Sequence, residues 1–120
     1  MVDGTETIGK IAEAISSALQ GYQIVIRKAE AFVGTDLLPA HIFFLGCGSP
    51  KPESFAYLGE MMQHINLAGR VCGIFSSNKK AIDYLSGVIK ASDAAVGKPL
   101  LVKNGLIDPV KIQKWVNAIL

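Results

Sequence analysis

The chain has 120 residues, half of them hydrophobic and 18% charged, with a formal net charge of +2. That is enough chain for one domain with a single core, and its basic residues are scattered apart from Lys79-Lys80, so nothing resembles the stripe that grips nucleic-acid phosphates. Two cysteines, Cys47 and Cys72, make neither a disulfide framework nor a CxxC pair; with no leader pattern and no apolar run of membrane-spanning length, the expectation is a soluble cytoplasmic domain.

Asp3-Gly4-Thr5-Glu6-Thr7 runs straight into a helix expected over residues 6–19, in which Ile8, Ile11, Ile15, Ala18 and Leu19 recur at helical spacing. A polar loop that opens a helix offers free backbone N–H groups and the helix dipole to an anion. Such loops normally follow a buried strand, for which only Met1 and Val2 remain, so the first strand is expected to be truncated. Thr5 or Thr7 would cap the helix and Gly21 would end it.

Ile24-Val25-Ile26 predicts a short β-branched strand over 23–27, followed by a connector with one helical turn near Asp36-Leu37-Leu38. His41–Leu45 is apolar without alternation, the pattern of a parallel strand covered on both faces, and ends in the loop Gly46-Cys47-Gly48-Ser49-Pro50. A helix over 54–65 turns Phe55, Leu58, Met62 and Ile65 to one side. Val71–Phe75 is a second buried strand, ending in Ser76-Ser77-Asn78 before a helix over 79–91. A further strand is expected over 98–103, and Asp108-Pro109 starts the last helix as cap and first residue. Strands alternating with helices give an open, doubly wound α/β parallel sheet in one domain, with right-handed crossovers.

Single residues carry little chemistry by themselves. Cys47 stands just past a strand end, where a nucleophile could stand, but the Arg of a phosphatase-type loop is absent and Lys51 and Glu53 follow instead; a small buried side chain is the expected role. Cys72 lies within a strand and is expected in the core. His41 and His64 have no acid or thiol at ligand spacing, so no metal site is read. Ser76-Ser77-Asn78 either binds an anion or simply caps the helix after it. Trp115 is expected to be half-buried on the last helix. A phosphoacceptor receiver domain is excluded because Leu45-Gly46 stands where its aspartate is needed.

This order of pieces resembles the flavodoxin family over nearly the whole chain. Residues 5–15 resemble its phosphate loop and first helix, residues 36–47 its third strand and the loop that follows, and residues 67–75 its fourth strand. The resemblance implies a three-layer αβα sandwich with strand order 2-1-3-4-5 and FMN at the switch point between the first and third strands, an arrangement for which flavodoxin is itself the standard example. FMN would then meet three loops, through Thr5 and Thr7, through Cys47, Gly48 and Ser49, and through Ser76, Ser77 and Asn78.

The chain departs from that pattern in its phosphate loop. Set against Ser/Thr-x-Thr-Gly-x-Thr, residues 3–8 put Glu6 where the glycine belongs and Ile8 where the last hydroxyl belongs. A carboxylate about 5 Å from one phosphate charge costs roughly 1 to 3 kcal/mol; Asp3 adds to this, and Lys10 would offset part. No aromatic stands at a loop tip: Phe55 and Phe75 are expected in the core, which leaves Tyr57 as the stacking candidate. A net positive charge also lacks the acidic field that steers the family's electron carriers to basic partners.

Two functions follow from the residues: an electron-transfer protein with a weakened FMN site, passing electrons to a protein redox partner, or a flavin-free module acting in protein binding or assembly. A shortened first strand leaves a sheet edge exposed, which predicts a homodimer. The gap must be closed by neighbouring strands moving together, by residues 1–4 forming a short strand, or by a partner chain.

Overall fold

A computed structural model of the chain describes residues 1–3, 5–31, 40–50 and 52–120. The helical turn expected near Asp36, the contribution of Gly4 to the first loop, and Lys51 lie outside those residues. The elements in order are helix α1 (Glu6–Ala18), strand β1 (Ile42–Gly46), helix α2 (Ala56–Met62), strand β2 (Val71–Ser76), helix α3 (Lys79–Lys90), the short strands β3 (Ala95–Val96) and β4 (Leu100–Leu101), and helix α4 (Pro109–Ile119).

All strand pairs are parallel. β1 pairs with β2 from Ile42↔Val71 to Gly46↔Phe75, and β2 pairs beyond with β3 and then β4. On the free side of β1, Val2 bridges Gly46 and, on its own other side, Lys28. The N–H of Val2 donates to the Arg27 carbonyl at 3.0 Å, and the N–H of Gly46 donates to the Met1 carbonyl at 2.9 Å. Met1 and Val2 are therefore a short first strand, and the order across the sheet is Lys28, Val2, β1, β2, with β3 and β4 beyond.

Alternation along the strands sorts the core into two layers. Phe43 and Leu45 of β1 and Cys72 and Ile74 of β2 pack with Leu58 and Met62 of α2 and with Ala81, Leu85 and Ile89 of α3. On the opposite face, Phe75, Phe44 and Val71 pack with Ile8, Ile11 and Ile15 of α1 and with Ile112, Trp115, Val116 and Ile119 of α4. Helices thus cover both faces, and the strands lack polar alternation because neither side meets water. Gly73 permits the close packing on the α4 side: a β-carbon there would lie 2.6 Å from the Phe44 ring and 2.9 Å from Ile119.

Two expected strands differ in the structure. Residues 23–27 form no ladder; Val25 and Ile26 are 59% and 46% exposed, and only Lys28 bridges to the sheet. Strand propensity needs an edge to pair with, and the central strand offers only Met1 and Val2. The strand expected over 98–103 is reduced to β4 (Leu100–Leu101), and the unexpected β3 (Ala95–Val96) pairs with β2 ahead of it; Pro99 between the two has no N–H to continue the ladder. Trp115 is buried rather than half-buried: its ring lies 5.7 Å from that of Phe44, and its Nε1 donates to the Lys98 carbonyl at 2.6 Å.

Candidate functional site

The loops that leave Val2, β1 and β2 all emerge at the C-terminal edge of the sheet, where ligands of open α/β folds bind. Hydrogen bonds join them. Asp3 is at the centre: its Oδ1 accepts from the N–H and the hydroxyl of Thr5 at 3.0 and 2.8 Å, and its Oδ2 accepts from the N–H of Gly48 at 2.6 Å. A β-carbon at Gly48 would lie 3.3 Å from the Thr5 hydroxyl oxygen and 3.6 Å from Asp3 Oδ2, so the first two loops are nearly in contact. The third loop is tied on by Ser76, whose buried hydroxyl donates to the Cys47 carbonyl and accepts from the N–H of Asn78 at 3.0 Å.

The residues expected at the site come together with their polar atoms already engaged. Thr5 stands at the N-cap position of α1, but its hydroxyl makes no cap bond and is spent on Asp3. Thr7 is exposed within α1, and Ser49 is exposed in the loop after β1. Ser77 is half-buried with no hydrogen bond among the described residues. Asn78 caps α3, its Oδ1 accepting from the N–H groups of Lys80 at 2.8 Å and Ala81 at 3.4 Å. Asn78→Ala should therefore cost about 1 kcal/mol of stability in urea unfolding, a cap-sized loss.

The carboxylate that faces the loop is Asp3, and this corrects the expectation placed on Glu6. Glu6 lies in the first turn of α1 with its side chain 85% exposed, paired one turn on with Lys10 at 3.3 Å. Lys10 is turned to that partner and to solvent. Part of the Asp3 arrangement was readable in advance, since Asp-x-Thr is an Asx turn in which the side chain takes the N–H two residues on. The bond from Gly48, 45 residues away, was not.

Cys47 and Cys72 are both buried, and the Cys47 thiol donates to the Ser49 carbonyl at 3.3 Å. Burial first, and the Asp3 carboxylate second, push the Cys47 thiol from 9.0 up to about 12; burial takes Cys72 to about 12 as well. Neither is a ready nucleophile, and iodoacetamide at about pH 8 should leave both unmodified in the folded protein while labelling both in urea. A thiol pKa raised on folding gives stability that is complete below the unfolded value of 9.0 and is lost as pH climbs towards 12. Urea midpoints should accordingly fall between about pH 8 and about pH 10.5.

The aromatic residues are placed as their spacing implied. Phe55 and Phe75 are fully buried, and Tyr57 is 55% exposed on α2. His41 and His64 are exposed, and the described residues hold no group of three potential metal ligands. Among the described residues, no helix is long and apolar enough to cross a membrane.

Comparison with solved structures settles the architecture. A flavodoxin of Streptococcus pneumonia TIGR4 superposes with a TM-score of 0.86 at 16% identity, covering 98% of this chain and 92% of its own. The chain has the flavodoxin fold. A short-chain flavodoxin associated with a PDU bacterial microcompartment superposes equally well, with a TM-score of 0.86 at 13% identity and coverage of 98% and 91%. No family model and no curated protein matches the chain. In this flavodoxin-fold chain, the central strand is two residues long and a side-chain carboxylate lies in the first loop at the switch point.

Proposed function

We propose that this chain is a flavodoxin-fold module acting in protein binding or assembly, its anion subsite closed by its own Asp3. One observation carries the reading: the Asp3 carboxylate accepts from the N–H groups of Thr5 and Gly48, the donors a phosphate would need in these loops. An arriving phosphate would have to displace a charge-assisted network and then sit beside the carboxylate it displaced. The residues present do not fit the FMN phosphate, and the loops carry no aromatic at their tips.

A second reading, an electron-transfer protein with a weakened FMN site and a protein redox partner, draws on the joining of the three loops by Asp3 and Ser76. Absorbance separates the two. Chain incubated with FMN and then dialysed should lose its flavin colour under the first reading, whereas stoichiometric retention would make the second the leading one. The binding-module reading also includes a homodimer, for which light scattering should give twice the chain mass at micromolar concentration; monomer mass up to millimolar would remove that part.

A further inference from the structure

Scattered along the sequence, four of the basic residues are gathered by the fold. Residues 96–120 hold Lys98, Lys103, Lys111 and Lys114 against one acid, Asp108, a net charge of +3. The whole chain carries +2, so residues 1–95 sum to −1 and the positive excess lies entirely in this segment. Two hydrogen bonds orient it. Trp115 Nε1 donates to the Lys98 carbonyl at 2.6 Å, which sets one flank of α4 beside β4. Gln113 Nε2 donates to the Ala18 carbonyl at 3.3 Å, which sets the other flank against α1. Lys111 stands one turn before Trp115 and so falls on the β4 flank, while Lys114 falls on the outward face one turn after Val110. Lys98 and Lys103 bracket β4 itself.

Among these lysines stand the two most exposed large hydrophobic side chains of the described residues, Leu106 at 76% and Val110 at 64%. Backbone turns hold them there. The Leu106 N–H donates to the Lys103 carbonyl at 3.1 Å, and Asp108 accepts from the N–H groups of Val110 and Lys111 at 3.0 and 3.5 Å. That carboxylate is spent as a helix cap, and the four lysines are exposed with no ion pair among the described residues. Lys98 before Pro99 has a structural role, since such a pair keeps a sheet edge from adding a strand. It explains neither Lys111 and Lys114 on a helix nor the two aliphatics beside them. An apolar centre with a rim of one charge sign complements an acidic, amphipathic surface. A second copy has no such helix: α1 carries Glu6 and Glu13, α2 and α3 carry one acid each, and α4 carries none.

We propose that this patch docks an acidic amphipathic helix of a partner polypeptide, its aliphatic residues on Leu106 and Val110 and its carboxylates among the four lysines. The proposal rests on the binding-module reading and names that module's partner by chemistry. Its readout does not involve flavin, so FMN retained on dialysis would overturn that reading and not this surface. The probe is fluorescein-labelled Glu-Leu-Glu-Glu-Leu-Ala-Glu-Glu-Leu-Glu-Glu-Leu, titrated with the natural chain and followed by anisotropy. Saturable binding is expected, weakened about tenfold by raising sodium chloride from about 50 to about 300 mM, and about tenfold when serine replaces the leucines of the probe. Lys111→Glu with Lys114→Glu should weaken it at least tenfold. Lys79→Glu with Lys80→Glu, an equal change of net charge on exposed residues of α3, should change it less than about twofold. Leu106→Ser, which alters no charge, should weaken it about tenfold, with circular dichroism checking the fold of each variant.

No saturable binding up to about 1 mM would overturn the proposal. So would equal losses in the two charge reversals, which would trace the attraction to the field of the whole chain. Sedimentation with phosphatidylserine vesicles by a chain that ignores the peptide would assign the patch to a membrane surface instead. A dimer that falls to monomer mass in the Lys111→Glu, Lys114→Glu variant would assign it to a second copy.

Discussion

Replacing Ile74 with alanine is expected to cost about 2 to 5 kcal/mol, whereas Val25→Ala should change stability by less than about 0.5 kcal/mol. Both residues are β-branched or aliphatic members of runs that read as strands, so sequence pattern alone would rank them close together. The structure separates them. Ile74 is fully buried in β2, flanked by β1 on one side and by β3 and β4 on the other, and packs in the layer that α2 and α3 cover. Its truncation leaves a cavity that rigid neighbours on every side cannot close. Val25 is 59% exposed on a segment outside the sheet ladder. Urea unfolding with an unchanged m-value checks both. A loss above about 1.5 kcal/mol for Val25→Ala would show that residues 23–27 pack as a strand after all.

Opening the anion subsite should have the larger functional effect. Asp3→Ser removes the carboxylate and is too short to bridge to Gly48, so it frees the Gly48 N–H and leaves the Thr5 N–H at most the weaker turn bond of a hydroxyl. Relieving one carboxylate about 5 Å from one phosphate charge returns roughly 1 to 3 kcal/mol, about tenfold to a hundredfold in FMN affinity. Riboflavin has no phosphate and should gain little. Asp3→Asn is the intermediate case: its carbonyl can keep the Asx turn to Thr5, but its amide nitrogen cannot accept from Gly48. It should show a smaller gain. Glu6→Gly, which removes an exposed charge paired with Lys10, should do less than either Asp3 variant.

These contrasts mark which features local chemistry encodes. The helices were legible because their apolar stripes and caps are written within a few residues: Asn78 caps α3, and Asp108 with Pro109 starts α4 as its order of residues implies. β1 and β2 were legible as apolar runs without alternation. Residues 23–27 were misjudged because a strand is completed by its neighbour, and the neighbour here is two residues long. Pro99 was visible, but its effect depends on which edge of β2 it faces. At the candidate site, the gathering of residues around 5, 48 and 76 was readable from strand ends. The identity of the anion within it was not, because the Gly48–Asp3 bond joins positions 45 residues apart.

The most direct measurement is a calorimetric titration of the natural chain and Asp3→Ser with FMN and with riboflavin, under one buffer. The natural chain should bind FMN no more tightly than riboflavin, and Asp3→Ser should bind FMN about tenfold to a hundredfold more tightly while riboflavin stays nearly unchanged. A natural chain that binds FMN stoichiometrically and far more tightly than riboflavin, with no gain in Asp3→Ser, would contradict the claim that Asp3 closes the subsite.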